Sequence, residues 1–273
     1  MYSASELQSL LDLATSAAHE AGKMLHQRFL DSRGLRIEQK GEGINNLVTE
    51  MDTAAEELIR KILAERSDII FLGEESGGND DLSRLTWVVD PIDGTVNYAH
   101  GLPIWCVSIA AVQENEPIVG VIYNPNLDET FTAIKGAGAF LNGVQITVST
   151  ETNFRQSLLV TGFPYNINEN PHGTIELFGQ ILRNGNAIRR LGSAALDLAY
   201  IAAGRFEAYW EVSLHPWDVA AGLLLVNEAG GRISSYASGE ATQALQATRE
   251  IVVDRLLATN GKVHDEILQF LLA

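Results

Sequence analysis

The sequence predicts an α+β fold of two lobes, in which long helices pack against a largely antiparallel sheet and an α/β lobe follows. Apolar residues recur at helical spacing near the start of the chain, β-rich runs succeed one another over residues 87–134, and strand-like and helix-like stretches alternate after residue 158. These patterns indicate an α+β lobe over residues 1–150 and an α/β lobe over residues 151–273. The polar residues 149–153 are the expected boundary.

Composition narrows the classes of protein that the chain fits. Its 273 residues are 46% hydrophobic and 20% charged, and the formal net charge is −16. This acidity argues against a nucleic-acid partner, because phosphate backbones are bound by clustered Lys and Arg. The first residues show no basic segment followed by an apolar core, so we expect no signal peptide, no membrane anchor and a cytoplasmic location. The single cysteine, Cys106, lies in an apolar run and is expected to be buried.

The first 63 residues predict two helices joined by a polar connection. Apolar positions from Leu7 to Phe29 follow helical spacing, as do those from Ala55 to Leu63. Residues 37–46 are polar and contain glycine, which indicates a loop or a hairpin. Asp52 lies at the head of the second helix, where an acid commonly caps the helix or is stabilised by its dipole.

Residues 87–103 form the most informative stretch of the chain. Trp87, Val88 and Val89 are typical of a buried strand, and Pro91 is expected to end it because proline cannot donate to a ladder. Gly94 permits a sharp turn, and Thr95 is a candidate cap for a helix whose free N–H groups would bind an anion.

Two carboxylates, Asp90 and Asp93, lie at this turn. Like charges a few ångströms apart repel, so the pair favours a bound cation. Carboxylates are hard oxygen ligands, which are typical of Mg²⁺ or Mn²⁺ sites. The alternative is that Asp90 caps the turn and Asp93 is solvated. Glu74 follows a short predicted strand, residues 69–72, in a glycine-bearing turn that by itself indicates a solvent-exposed acid.

The rest of the chain predicts further strands and helices. The expected β segments are residues 105–112, 118–123, 130–134, a hairpin within 136–143, and 158–161. The expected helices are residues 173–182, 193–203 with Ser193 as cap, one that opens at Trp217 and Asp218, and 262–272.

Three segments together resemble the inositol monophosphatase family of metal-dependent sugar-phosphate phosphatases. They are Asp90-Pro91-Ile92-Asp93-Gly94-Thr95 with Asn97, Gly73-Glu74-Glu75-Ser76 upstream, and Trp217-Asp218-Val219-Ala220-Ala221-Gly222 downstream. Their order and spacing match the family, and the resemblance extends over nearly the whole chain. It implies a layered αβαβα sandwich of the inositol monophosphatase and fructose-1,6-bisphosphatase type, with the active site between the lobes.

The resemblance also implies roles for individual residues. It assigns one Mg²⁺ to Glu74, Asp90 and the Ile92 carbonyl, and a second to Asp90, Asp93 and Asp218; a third ion and the loop with Lys40 occur in some family members. Asp52 and Thr95, with Glu74, form the expected catalytic set, in which Asp52 and Thr95 take a proton from the attacking water. The expected substrate contacts are Asp93, Gly94, Thr95, Gly192, Ser193, Ala194, Glu211 and Asp218. Mn²⁺ is a possible substitute for Mg²⁺.

The preferred substrate by resemblance is inositol 1-phosphate, a small phosphorylated polyol. Fructose 1,6-bisphosphate remains an alternative because Arg189 and Arg190 leave room for a second phosphate. Histidinol phosphate is another, and a non-catalytic regulatory binding protein with the same fold is an alternative from a different class. The resemblance further implies a homodimer and sensitivity to lithium.

Overall fold

The computed structural model describes residues 2–31, 37–39, 47–78, 81–236, 251 and 253–272. The helices are α1 (Ala4–Leu30), α2 (Glu50–Leu63), α3 (Thr95–Ala99), α4 (Thr174–Arg183), α5 (Ala194–Ala202), α6 (Pro216–Glu228) and α7 (His264–Leu272). The strands are β1 (Ile37–Gln39), β2 (Leu47–Thr49), β3 (Ile70–Gly73), β4 (Gly77–Gly78), β5 (Thr86–Asp93), β6 (Cys106–Gln113), β7 (Glu116–Asn124), β8 (Glu129–Ile134), β9 (Gly138–Leu141), β10 (Val144–Ile146), β11 (Leu158–Thr161), β12 (Ala187–Arg189), β13 (Ala208–Val212), β14 (Arg232–Ser235) and β15 (Arg255–Thr259).

Two sheets organise the described residues. The larger has eight strands in the order β10-β9-β8-β7-β6-β5-β3-β4, and it is antiparallel except where β3 runs parallel to β5. The smaller has five strands in the order β12-β11-β13-β15-β14, with β11 parallel to both of its neighbours. β1 and β2 form a separate antiparallel pair. The largely antiparallel first sheet is as the sequence predicts.

The helices and sheets alternate in layers. α1 and α2 pack on one face of the eight-stranded sheet around Trp87, Val107 and Val121. α5 and α6 fill the space between the two sheets, and α4 and α7 cover the outer face of the five-stranded sheet. This is the layered αβαβα fold that the resemblance implies, and the prediction of fold class is confirmed.

The two sheets share a hydrophobic core. The central cluster joins residues of the larger sheet, such as Val88 and Ile122, to Ala199 of α5 and to Tyr209 and Ala258 of the smaller sheet. The predicted lobe boundary at residues 149–153 lies between β10 and β11. Because the cluster crosses this boundary, folding of the two sheets is expected to be cooperative.

Side-chain caps fix the starts of the two N-terminal helices. Ser3 accepts the N–H of Glu6 while Glu6 accepts the N–H of Ser3, which is a capping box at α1. At α2, Thr49 is the N-cap and the Asp52 carboxylate accepts the Thr49 N–H at 2.8 Å. Asp52 therefore caps its helix, as expected. Lys40 and most of the polar connection around it lie outside the described residues.

Two local predictions are wrong. Pro91 does not end its strand, because β5 continues to Asp93 across a register shift in its pairing with β6, and proline is tolerated at such an irregularity. Thr95 does not cap α3, because the N-cap is Gly94 and Thr95 is the first helical residue. Cys106 is buried, as predicted. No helix among the described residues is long and apolar enough to cross a membrane.

His264, the first residue of α7, is fully buried between α7 and the five-stranded sheet. Its two ring nitrogens pair with the hydroxyls of Ser234 and Thr259, each at 2.9 Å. Desolvation lowers the pKa of His264 to about 4. Between about pH 6.5 and pH 4, His264 is therefore neutral in the folded protein. In the unfolded chain the same histidine, with its ordinary pKa of about 6.5, is protonated over this range.

We predict that His264 makes folding stability fall in mild acid. The contribution of neutral His264 to the free energy of unfolding is complete above about pH 6.5. It is lost as the pH falls toward about 4, by up to about 3 kcal/mol. The measurement is urea unfolding of wild type and His264→Asn at several pH values. The difference in free energy of unfolding between wild type and His264→Asn should become smaller as the pH is lowered. A difference that is constant over this pH range would contradict the prediction.

Candidate active site

A bulge in β5 places Asp90 and Asp93 on the same face of the sheet. Asp90 pairs with Ser108 of β6, and Asp93 pairs with Cys106. The pairing therefore advances three residues along β5 but only two along β6, so β5 contains one extra residue here. Residues three apart in a regular strand point to opposite faces, whereas one extra residue restores the same face. The bulge that contains Pro91 therefore brings the two carboxylates to the same face of the sheet.

Asp90 is held at the centre of a group of acids. Its Oδ1 accepts the N–H of Ile92 at 3.0 Å, and the residue is buried. Desolvation raises its pKa well above the ordinary value, and the charges of Glu74, Asp93 and Asp218 raise it further. These three neighbours are all acids and supply no positive charge. The ionised form of Asp90 is therefore strongly disfavoured without a cation.

Asp93 connects β5 to the start of α5, one hundred residues later in the chain. Its carboxylate accepts the Ser193 hydroxyl at 2.6 Å and the N–H groups of Ala194 and Ala195 at 3.2 and 2.7 Å. Ser193 is the N-cap residue of α5, as predicted, but its side chain donates to Asp93 and does not cap the helix. Desolvation raises the pKa of Asp93, while these hydrogen bonds oppose the rise.

Glu74 lies in the turn after β3, and a buried acid of α2 holds this turn. The carboxylate of Glu56 accepts the N–H groups of Glu75 and Ser76 at 2.8 and 3.0 Å. The Glu74 N–H donates to the carbonyl of Val89 at 3.1 Å, which ties the turn to β5. The backbone around Glu74 is thus fixed beside Asp90.

Asp218 enters the site from the first turn of α6. Its carboxylate accepts the N–H of His215 at 2.7 Å, so it closes the helix terminus. Desolvation, followed by the charge of Glu74, raises its pKa well above the ordinary value. His215 stacks on Trp217 with ring centroids 4.7 Å apart, at the turn that opens α6.

Thr95 links the acids to Asp52 of α2. The Thr95 hydroxyl lies 2.9 Å from Oδ1 of Asp52 and 3.0 Å from the Ile92 carbonyl oxygen. Desolvation raises the pKa of Asp52 to about 6. The turn before Thr95 requires glycine, because Gly94 has φ 104° and a Cβ there would lie 2.9 Å from the Ile104 carbonyl.

These elements surround a cavity of about 390 Å³. Every residue that the sequence analysis assigned to metal or substrate binding lines it, whereas Asp52 lies behind Thr95. The structure adds lining residues that the sequence analysis did not assign, chiefly Gly162, Phe163, Pro164, Tyr165 and Asp197. Arg190 also lines the cavity, and Arg189 is not among the lining residues.

Glu211, near the end of β13, also lines the cavity. Its carboxylate accepts the Tyr209 hydroxyl at 2.6 Å and rests against Gly162, where a Cβ would lie 1.9 Å from Oε2. Desolvation raises the pKa of Glu211 to about 7, and the charge of Arg190 opposes this rise. Any side chain at residue 162 would displace this carboxylate.

Asp197 is a further acid of the cavity lining, and the charge of Glu211 acts on it. It lies in the apolar run Leu196-Asp197-Leu198 of α5 and is 1% exposed. Its Oδ1 has no hydrogen-bond partner in the described part of the chain. Desolvation raises its pKa well above the ordinary value, with Glu211 as the next cause.

The donor set fits a hard divalent cation in its chemistry. Glu74, Asp90, Asp93 and Asp218 offer carboxylate oxygens, and the Ile92 carbonyl oxygen lies among them. Desolvation and the charges of neighbouring acids raise the pKa values of Asp90 and Asp218, and a bound cation would offset this effect. Among the described residues, no group of three or more His, Cys, Asp and Glu side chains is already arranged around a common ion position.

Comparison with known proteins identifies the class. A curated inositol-1-monophosphatase of Synechocystis sp. is 40% identical over 275 residues, which span 100% of this chain and 92% of the relative. The structure of inositol monophosphatase from Anabaena (Nostoc) sp. superposes with a TM-score of 0.81 and 38% identity, over 97% of this chain and 96% of the other. The Nus factor SuhB of Escherichia coli is 39% identical over 238 residues, 85% of this chain and 87% of the relative.

The fold and these relatives define a phosphatase, a hydrolase of phosphoric monoesters that acts on small phosphorylated substrates. The sequence model of the inositol monophosphatase family matches residues 6–271. The chain belongs to this family, whose members depend on metal ions. The resemblance and the enzyme class inferred from the sequence are therefore confirmed.

We predict that Asp90→Asn stabilises the metal-free protein. Because burial raises the pKa of Asp90, its ionisation at neutral pH opposes folding, and asparagine removes that charge while its amide oxygen can still accept the Ile92 N–H. The measurement is the melting temperature in EDTA and in Mg²⁺. Asp90→Asn should melt higher than wild type in EDTA and lose the upward shift that Mg²⁺ gives wild type.

Glu57→Gln is the matched control, since it removes the same charge from an exposed position of α2. It should leave both melting temperatures near the wild-type values. A lower melting temperature for Asp90→Asn in EDTA would contradict the electrostatic argument.

Proposed function

We propose that the protein hydrolyses small polyol phosphates in a Mg²⁺-dependent reaction, with inositol 1-phosphate as the preferred substrate. The observation that carries this proposal is one cavity lined by Glu211 and by four further acids, of which Asp90 and Asp93 are buried. The four acids, Glu74, Asp90, Asp93 and Asp218, fit a metal-assisted phosphate site, and Glu211 fits the hydroxyls of the alcohol. An ester bound in this cavity would meet both chemistries.

In this proposal Glu74, Asp90 and the Ile92 carbonyl hold one Mg²⁺, and Asp90, Asp93 and Asp218 hold a second. Bound there, the ions would polarise the phosphate oxygens and lower the pKa of the attacking water. Asp90 belongs to both ligand sets, and its burial beside Glu74, Asp93 and Asp218 supports that position.

Thr95 and Asp52 are suited to receive a proton from the water. The Thr95 hydroxyl can accept a hydrogen bond from water while it donates its own proton toward Asp52, which lies 2.9 Å away. The raised pKa of Asp52, about 6, brings its basicity closer to neutral pH. Gly94 and Thr95 line the cavity where β5 gives way to α3, and in this proposal their backbone N–H groups bind the phosphate.

The surroundings of Glu211 favour a polyol over a second phosphate. Glu211 is an acceptor that can bind two hydroxyl donors, and Gly162 leaves space for its carboxylate. Arg190 is the cation here, but its charge already acts on Glu211 and Asp197. A second phosphate would meet two acids for one arginine, so fructose 1,6-bisphosphate is the weaker candidate.

We predict that inositol 1-phosphate is hydrolysed faster than fructose 1,6-bisphosphate, and that EDTA stops both reactions. The measurement is phosphate release from the two substrates side by side, with Mg²⁺ and with EDTA. Faster turnover of the bisphosphate would overturn the substrate assignment and leave the reaction class intact. Release that continues in EDTA would overturn the metal-dependent mechanism itself.

We predict that Thr95→Val lowers kcat by about 10²- to 10⁴-fold, the range for loss of a proton-transfer group. Valine keeps the shape of threonine but loses the hydroxyl that reaches Asp52 and the Ile92 carbonyl. Thr95→Ser retains the hydroxyl and is the matched variant, expected to keep most of the activity. Equal losses in the two variants would argue that residue 95 acts through packing and not through its hydroxyl.

A further inference from the structure

Tyr165 lies in the wall of the cavity, in the loop Gly162-Phe163-Pro164-Tyr165 that directly follows β11. The side chain is 51% exposed, which is unusual for a large aromatic residue beside a buried polar site. Within the part of the chain that the structure describes, its hydroxyl makes no hydrogen bond. A phenol that lines the cavity therefore has a donor to offer to a ligand.

The loop is anchored on both sides of Tyr165. Phe163 packs edge-on against Phe178 of α4, with ring centroids 5.5 Å apart. The carbonyl of Pro164 accepts the N–H of Ile167 at 3.1 Å, which closes a turn around Tyr165. The ring is thus presented to the cavity by a supported backbone.

Tyr165 lines the same cavity as the four acids that we propose as metal ligands. The charges of Glu74, Asp218, Asp90 and Asp93 all act on its hydroxyl. A phosphate held by metal ions among these acids would therefore lie near the Tyr165 hydroxyl.

We propose that Tyr165 is a substrate-contacting residue whose hydroxyl donates a hydrogen bond to a phosphate oxygen. This inference rests on the proposed function of the cavity and adds a phosphate contact from the loop after β11. An ordinary tyrosine keeps its proton at neutral pH and can donate one hydrogen bond, and phosphate oxygens are strong acceptors. The contact is independent of the alcohol, so its loss should affect all phosphate esters alike.

The experiment compares wild type, Tyr165→Phe and Tyr200→Phe. Phenylalanine at 165 keeps the ring and removes only the hydroxyl. Tyr200→Phe is the matched control, because the hydroxyl of Tyr200 pairs with Asn124 at 3.4 Å, away from the cavity lining. Two quantities are measured in Mg²⁺: the calorimetric affinity for inorganic phosphate, and kcat/KM for inositol 1-phosphate and for glycerol 2-phosphate.

Tyr165→Phe should weaken phosphate binding about tenfold and lower kcat/KM by a similar factor for both esters, which is the loss of about one hydrogen bond to a charged group. Tyr200→Phe should change neither quantity. Unchanged phosphate affinity in Tyr165→Phe, or a loss confined to inositol 1-phosphate, would overturn the inference while the proposed function stands. A wild-type protein that neither binds phosphate nor hydrolyses either ester would overturn both.

Discussion

The repulsion among four neighbouring carboxylates is the constraint on which the site depends. Glu74, Asp90, Asp93 and Asp218 come from the turn after β3, from β5 and from α6, and the αβαβα layers bring them to one cavity. Desolvation raises the pKa of all three aspartates, and the charges of neighbouring acids raise those of Asp90 and Asp218 further. Because ionising these acids together opposes folding, a cation bound among them would stabilise the folded protein.

Three acids of the site also accept hydrogen bonds from the backbone, and these bonds fix their positions before any ligand binds. Asp93 receives three hydrogen bonds from residues 193–195 and so joins the eight-stranded sheet to α5. Asp218 closes the first turn of α6, and Asp52 closes that of α2. Removing one of these side chains therefore disturbs local structure as well as chemistry, and a substitution that keeps the hydrogen-bond acceptor is the cleaner probe.

Much of the fold and the acids of the site could be predicted from the sequence, because periodicity and short motifs are local signals. The order of helices and strands follows from spacing such as that of Leu7 to Phe29. The continuation of β5 past Pro91 could not be predicted, because the bulge exists only in the pairing with β6. Tyr165 and Asp197 were missed for the same reason, since their position in the cavity depends on contacts with distant parts of the chain. Asp197 did leave a signal, an acid inside the apolar run of α5.

The measurement that tests the account most directly is anomalous diffraction from crystals grown with Mn²⁺ in place of Mg²⁺. The account predicts two peaks roughly 4 Å apart, as in two-metal phosphoryl-transfer sites, with Asp90 in contact with both. Glu74 should contact the first ion, and Asp93 and Asp218 the second. Well-occupied Mn²⁺ elsewhere in the crystal, with no peak among these four acids, would contradict the claim that a cation compensates their charge.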